Sequence, residues 1–434
     1  MSVLSRAGAP AATHEVAAAV AALLTNLDTS APATLVLGDA PESTGTQRAG
    51  PPRLLGPSGL GAAGLRIPLP TPAPPAAAET AAPWRIPSGP SGLGAGAAQF
   101  RPAGPAIPPL YCPPPLRDDP ALAVAVNDGL IAWAAEIGLY EGRLGELRDA
   151  DFGRLIMLAH PDCDDADRLL AAAKCAVSEW SVDDYYCEED ADDHAPDGTL
   201  SSAEAELGPR LELAAAAMDP VHLPARYAPR LEQALQADPI LRAFRTSFEH
   251  LSRYAGDAQL ARLRTEIAGW FIALGAEAGW RTAGRMPPVW EYLTNRQPHS
   301  FLPCMAPIDV LGGYELCAAE YTDPRVRRVV TTAALAAQMV NDLYSMARED
   351  QSQGREFNLP TVLAAEENCS RHEAVLHTAA IQDELVHRFE AEAAPLAAAG
   401  SPELRRFLFG LWAWMGGNRA WHADSKRYRV TERG

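Results

Sequence analysis

Two short strings of oxygen-bearing side chains hold most of the chemistry this sequence could perform. The first, Asp183-Asp184-Tyr185-Tyr186-Cys187-Glu188-Glu189, ends a run whose apolar residues Leu169, Leu170, Ala173, Val177 and Trp180 recur at helical spacing. On an α-helix Asp184 and Glu188 share a face, with Asp183 about 100° from Asp184. Carboxylates this close repel one another unless a hard divalent cation bridges them. Mg²⁺ takes one or two carboxylates and shares its other positions with waters and substrate phosphates. In the second string Asn341, Ser345 and Glu349 recur every four residues. Each is turned only about 40° from the last, so an amide, a hydroxyl and a carboxylate line one stripe and can chelate a cation over two turns. Either string alone would also read as a solvated helix face. Placement argues otherwise, because each follows an apolar stretch, residues 333–340 in the second case.

Cations can carry positive charge to a phosphate substrate without a basic protein, but a diphosphate also needs directional donors. Arg296, Arg348 and the pair Arg427-Tyr428 are the candidates, since a guanidinium is a planar fork matched to phosphate oxygens. Each Arg taken singly is an ordinary surface charge. Their weight lies in the joint pattern.

Positioning these groups calls for long helices, and the sequence supplies them. Residues 124–137, 169–180, 260–280 and 326–346 are Ala/Leu-rich with apolar positions three and four apart. No alternating strand pattern competes, and Pro161, Pro220, Pro287, Pro303, Pro307, Pro324, Pro360 and Pro402 tend to fall between the helical patterns. This predicts one all-α domain of ten or so helices over residues 109–434. Ahead of it, residues 1–115 hold 21 of the 38 Pro and 13 of the 33 Gly, a composition that cannot bury enough surface to offset ordering entropy. Residues 1–108 are therefore expected to be a disordered Pro/Ala/Gly-rich extension. Its one repeat, Gly-Pro-Ser-Gly-Leu-Gly-Ala at residues 56–62 and 89–95, has too few copies for a solenoid.

The formal charge of −18 arises wholly after that extension, which carries six Arg against five acids. A nucleic-acid role is excluded for want of a basic face. No run of about 18 uninterrupted apolar residues predicts a membrane span, and the absence of a basic, apolar and cleavable leader predicts a cytoplasmic protein. The seven Cys are scattered without a C-x-x-C pair, which fits reduced packing thiols better than a disulfide or zinc framework.

The two strings, taken with the Arg positions, resemble the bacterial class I terpene cyclases over almost all of residues 109–434. Asp183-Asp184-x-x-x-Glu188 is similar to that family's aspartate-rich motif and Asn341-Asp342-x-x-Ser345-x-x-x-Glu349 to its Asn-Ser-Glu triad. Arg296 stands where the family keeps a diphosphate-sensing Arg, Arg427-Tyr428 matches its terminal Arg-Tyr pair, and Arg348 takes the place of a basic diphosphate contact. The resemblance implies a single helical barrel whose metal motifs face each other across an apolar cavity. It further implies Mg²⁺ held by Asp183, Glu188, Asn341, Ser345 and Glu349, with Asp184 a ligand or a partner behind the ligands. Arg296, Arg348, Arg427 and Tyr428 would bind diphosphate, and Arg296, Arg427 and Tyr428 would act in catalysis.

Strings such as Leu110-Tyr111-Cys112-Pro113-Pro114, Trp290-Glu291-Tyr292-Leu293 and Gly312-Gly313-Tyr314-Glu315-Leu316 are similar to the branch that cyclises 2-methylgeranyl diphosphate to 2-methylisoborneol. In that branch residues 110–115 would help close the site. Loss of a proton in place of water capture, giving a methylenebornane hydrocarbon, stays open, as does a sesquiterpene cyclase using farnesyl diphosphate. A non-catalytic helical diphosphate binder is disfavoured by the intact motifs. A homodimer is left open. Trp180, Trp270, Trp412, Trp414 and Trp421 are candidates for cation-facing aromatics, although each also suits ordinary core.

Overall fold

The computed structural model describes residues 107–189, 202–219, 221–349 and 357–428, without the side chains of 188–189, 202–205 and 347–349. The expectation for residues 1–106, and the side chains of Glu188, Arg348 and Glu349, thus lie outside the described residues. What is described is all-α, with no strand among the described residues. Helices of seven residues or more are α1 Pro120–Ile137, α2 Leu144–Ala150, α3 Phe152–Ala159, α4 Ala166–Val182, α5 Ser202–Met218, α6 Ala228–Ala237, α7 Pro239–Leu251, α8 Asp257–Thr282, α9 Val289–Arg296, α10 Pro324–Glu349, α11 Leu359–Glu367, α12 Arg371–Ala399 and α13 Pro402–Asp424. One-turn helices, such as Leu302–Met305, fill the connections.

Local chemistry fixes where the long helices begin. The Asp119 carboxylate accepts the Ala121 and Leu122 N–H groups at the head of α1, Asp165 caps α4, Ser370 and Glu373 form a capping box on α12, and Ser401 caps α13. Each satisfies amide groups that have no partner within the helix. Pro120, Pro239, Pro360 and Pro402 stand in first turns, where their missing N–H costs nothing. Pro209 and Pro395 depart from the expectation by lying inside α5 and α12.

At the centre is α3, whose Phe152, Leu155, Ile156 and Met157 are fully buried. It packs against α1 on one side and α13 on the other, while α10 packs on α12 and α13, and α4 on α7. Two glycines permit the approach. A Cβ on Gly153 would lie 2.5 Å from the Asn127 backbone N in α1, and one on Gly417 would lie 2.7 Å from the Leu158 carbonyl carbon in α3. By length and composition α1 could cross a bilayer. In the fold it packs on α3 and α4, with Val126, Leu130, Trp133 and Ala134 buried.

The aspartate-rich string departs from the expected α-helix. At Val182 the chain passes from α4 into a π-helical segment, Asp183–Glu189. Its i→i+5 hydrogen bonding replaces the 3.6-residue period expected there.

Contacts with the helices are already made slightly before residue 109. Ile107 and Leu110 rest on Leu343, Met346, Val375 and Ala379. Tyr111 donates its N–H to Asp383 at 2.7 Å and its hydroxyl to Glu390 at 2.9 Å, and stacks 3.9 Å from the His387 ring. Residues 110–115 thus strap across α12 and α13, and none of them lines the cleft described next.

Candidate active site

A cleft enclosing about 830 Å³, counting the solvent at its opening, is bounded by α4 and its π-helical continuation, α8, the residues from Arg296 to Cys304, α10, Phe357 and the Arg427-Tyr428 pair. Six of the sequence-selected residues line it together: Asp183, Arg296, Asn341, Ser345, Arg427 and Tyr428. Trp180, Trp270, Phe301 and Phe357 supply its aromatic wall. Of the five candidate tryptophans, only Trp180 and Trp270 reach the cleft. Trp414 and Trp421 are fully buried, and the Trp421 indole N–H donates to the Ala150 and Asp151 carbonyls.

The two motifs share one internal plan. In each, the first residue faces the cleft and the residue after it is buried behind, where it holds an Arg. Asp184, 3% exposed, accepts the Tyr140 hydroxyl at 2.5 Å and both Arg427 terminal nitrogens, Nη2 at 2.7 Å and Nη1 at 3.3 Å. Asp342, fully buried, accepts the Tyr292 hydroxyl at 2.6 Å, the Gln338 amide at 3.1 Å and the Leu359 N–H at 2.9 Å. Arg296 joins this second group by donating Nε–H to the Tyr292 oxygen at 2.7 Å, and its Nη2 lies 3.5 Å from Asp342. Its remaining bonds go to the Phe357 carbonyl and His299 Nδ1, each at 2.9 Å.

Burial disfavours both guanidinium charges. The Tyr292, Asp342 and Glu277 groups around Arg296, and Asp184, Tyr428 and Tyr140 around Arg427, outweigh that penalty and keep both cationic. A fork held on one side by a carboxylate is pre-oriented on the other. Arg427 Nε is buried and has no hydrogen-bond partner among the described residues.

Asn341 is oriented with equal care. His422 Nδ1 lies 2.9 Å from the Asn418 carbonyl oxygen, an acceptor only, so that nitrogen carries the proton. The His422 Nε2 lone pair therefore faces Asn341 Nδ2 at 3.2 Å, and the Tyr428 oxygen receives the same amide at 3.1 Å. With its nitrogen engaged on that side, Asn341 turns its oxygen the other way, where Gln338 donates to it at 3.1 Å. Burial lowers the His422 pKa to about 3, so the ring stays a neutral acceptor near pH 7.

These residues suit a small hard cation. The donor set is all oxygen, Ser345 Oγ is buried without a hydrogen-bond partner among the described residues, and the Asn341 oxygen lies one turn before it. A further group, Glu367, Cys369 and His377, could also hold a metal. It includes a thiol and an imidazole, suits a softer ion and contributes nothing to the cleft. Tyr140, Gln338, His422, Phe301 and Phe357 were not singled out by sequence, and Tyr292 and Asp342 stood there only within longer strings. Only Asp342 carried a signal, as the inward-facing neighbour of Asn341 in an Ala-rich helix.

His422→Phe keeps the ring and its packing but removes the acceptor that fixes the Asn341 amide. Loss of such outer support typically costs 10–100-fold in metal affinity or activity. The expected result is a rise of about tenfold in the Mg²⁺ concentration needed for half-maximal turnover, read from Mg²⁺ titrations with helicity unchanged.

Fold and cleft together define a class I terpene synthase, and the chain belongs to that family. Residues 174–388 match the family model for terpene synthase family 2, C-terminal metal binding. Among its relatives is 2-methylisoborneol synthase of Saccharopolyspora erythraea, 40% identical over 74% of this chain and 89% of the relative. The 2-methylisoborneol synthase of Streptomyces ambofaciens is 38% identical over 91% of this chain and 84% of the relative. The crystal structure of 2-methylisoborneol synthase from Streptomyces coelicolor A3(2) in complex with Mg²⁺ and 2-fluoroneryl diphosphate superposes with a TM-score of 0.69 at 37% identity, covering 74% of this chain and 98% of that one.

Proposed function

We propose that the protein catalyses Mg²⁺-dependent cyclisation of 2-methylgeranyl diphosphate to 2-methylisoborneol with release of diphosphate. One observation supports this above others: two metal motifs, each tethering a buried Arg through its second residue, converge on a single aromatic-walled cleft. In this reading Asp183 and Glu188 on one side, and Asn341, Ser345 and Glu349 on the other, hold Mg²⁺. The bound ions offset the diphosphate charge as the allylic C–O bond breaks. Asp184 serves from behind the ligands by holding Arg427.

Arg296, Arg427 and Tyr428, together with Arg348, bind the leaving group. The Arg427 Nε–H gains a partner when a diphosphate oxygen reaches it, and this donor bears most heavily as negative charge collects on the leaving group. The allylic cation isomerises through a linalyl-type species before the six-membered ring closes, and the bornyl-type cation that follows is captured by water. Trp180, Trp270, Phe301 and Phe357 exclude bulk water and turn π faces toward the cationic chain.

Incubating the purified protein with Mg²⁺ and, separately, 2-methylgeranyl, geranyl and farnesyl diphosphates tests this reading. Identification of the volatiles should give 2-methylisoborneol as the main product of the methylated substrate. Preferential turnover of farnesyl diphosphate would instead support a sesquiterpene cyclase, a methylenebornane as main product the hydrocarbon-forming reading, and binding without turnover a diphosphate-binding protein.

The active unit is the helical part of the chain. Because Ile107 already packs on the core, deletion of residues 1–106 should leave the kcat for cyclisation largely unchanged. Further deletion through residue 115 would remove the Tyr111 bonds to Asp383 and Glu390 and should lower the melting temperature. Thermal melts and steady-state kinetics on both truncations check the pair of outcomes.

A further inference from the structure

Resting on the cyclisation reading, we propose that Glu179 is a positioning residue that holds the water molecule which captures the terminal carbocation. Glu179 lies on α4 four residues before Asp183, about 6 Å back along the axis and on the same face. Both side chains line the cleft. Around Glu179 stand Trp180, Phe301 and Cys304, all in the cleft wall, with Phe301 and Cys304 buried.

Glu179 is 5% exposed. Its Oε2 accepts the Cys304 thiol proton at 3.2 Å, whereas Oε1 is buried and has no hydrogen-bond partner among the described residues. An unmet carboxyl oxygen in the wall of a cleft with further polar groups in its lining is the kind of site a single ordered water satisfies. The aromatic wall beside it, Trp180 and Phe301, offers no competing acceptor at that end of α4. Burial also drives the Glu179 carboxyl up to about 8, against the lowering effect of the Cys304 thiol. Near neutral pH it is mostly the uncharged acid, which can orient a water without trapping the cation as an ester.

In the capture step a lone pair of the held water forms the C–O bond to the tertiary cation. The oxonium proton then passes to the diphosphate released earlier in the same turnover. Carbon and oxygen keep their electron count, and no oxidant or further reactant is needed.

The test uses the full chain with 2-methylgeranyl diphosphate and Mg²⁺ in ¹⁸O-labelled water, reading the alcohol-to-hydrocarbon ratio and diphosphate release. Glu179→Leu removes the anchor at similar volume and should lower the alcohol fraction about tenfold, the equivalent of one hydrogen bond. Hydrocarbons formed by proton loss should replace it, with diphosphate release retained. Glu179→Met is a second apolar replacement should the Leu variant not fold. Glu179→Gln keeps a polar group for the water and should retain ¹⁸O-labelled alcohol as the main product. A wild-type alcohol fraction from the apolar variants would overturn the proposal, as would a Gln variant that loses the alcohol as completely as Leu. Failure of the cyclisation reading looks different, since the wild-type protein would then yield no bornane alcohol before any substitution is made.

Discussion

Arg427→Ala is expected to lower turnover by about 10²–10³-fold, the usual cost of removing one pre-organised donor from a developing anion. It lies only seven residues from the end of the chain, where replacements are ordinarily tolerated. Its surroundings predict the reverse. The guanidinium grips Asp184 with both terminal nitrogens, lines the cleft, and presents a buried Nε with no hydrogen-bond partner among the described residues. Deleting it also takes from the buried Asp184 a charged partner, and breaking a buried ion pair typically costs about 3–5 kcal/mol. Arg427→Lys restores charge without the fork and should fall between the variant and wild type in both kcat and denaturation midpoint. Wild-type kcat from the Ala variant would remove Arg427 from the site.

Asn341→Ala should be comparably severe, with turnover reduced by about 10²-fold or more while far-UV circular dichroism stays unchanged. The substitution removes an oxygen from the proposed cation shell and frees His422 and Tyr428, which now hold the amide in place. Glu349→Ala should behave alike. A distinction from general destabilisation is available in the Mg²⁺ dependence, which should shift in these variants and stay put in a control such as Ile272→Ser on the exposed surface, where Ile272 is 76% exposed. Near-normal rates at saturating Mg²⁺ would count against the triad.

Much of this site was legible because ligand chemistry constrains both residue type and spacing. Asn341 and Ser345 are four apart on one continuous helix, α10, so their shared face could be read directly from the helical period. Arg296 and Arg427 were marked only by order along the chain and by family likeness, and the fold brings them to the cleft. The role of Asp184 could not be settled, since one residue's advance turns a side chain away from its neighbour's direction and only the fold decides what lies there. Its partner Tyr140 is 44 residues away, and Tyr292 is 50 residues from Asp342. No local pattern encodes such pairings.

The π-helical turn at Asp183 had no sequence mark either. Apolar periodicity fixes α4 up to Trp180 and Val182, but nothing in it marks the backbone hydrogen-bond shift beyond. Periodicity likewise could not rank the tryptophans. Trp180 and Trp421 pack with ring centroids 6.3 Å apart, yet only Trp180 reaches the cleft, a difference set by where α4 and α13 stand in the bundle.

The central claim is that the two motifs hold metal ions and diphosphate between them in this cleft. Anomalous scattering from crystals of the protein grown with Mn²⁺ and inorganic diphosphate measures this directly. The expected result is manganese density on both sides of the cleft, bonded to Asp183 on one and to Asn341 and Ser345 on the other, with diphosphate oxygens against Arg296, Arg427 and Tyr428. Manganese found only at Glu367, Cys369 and His377, or diphosphate bound away from Arg427, would contradict it.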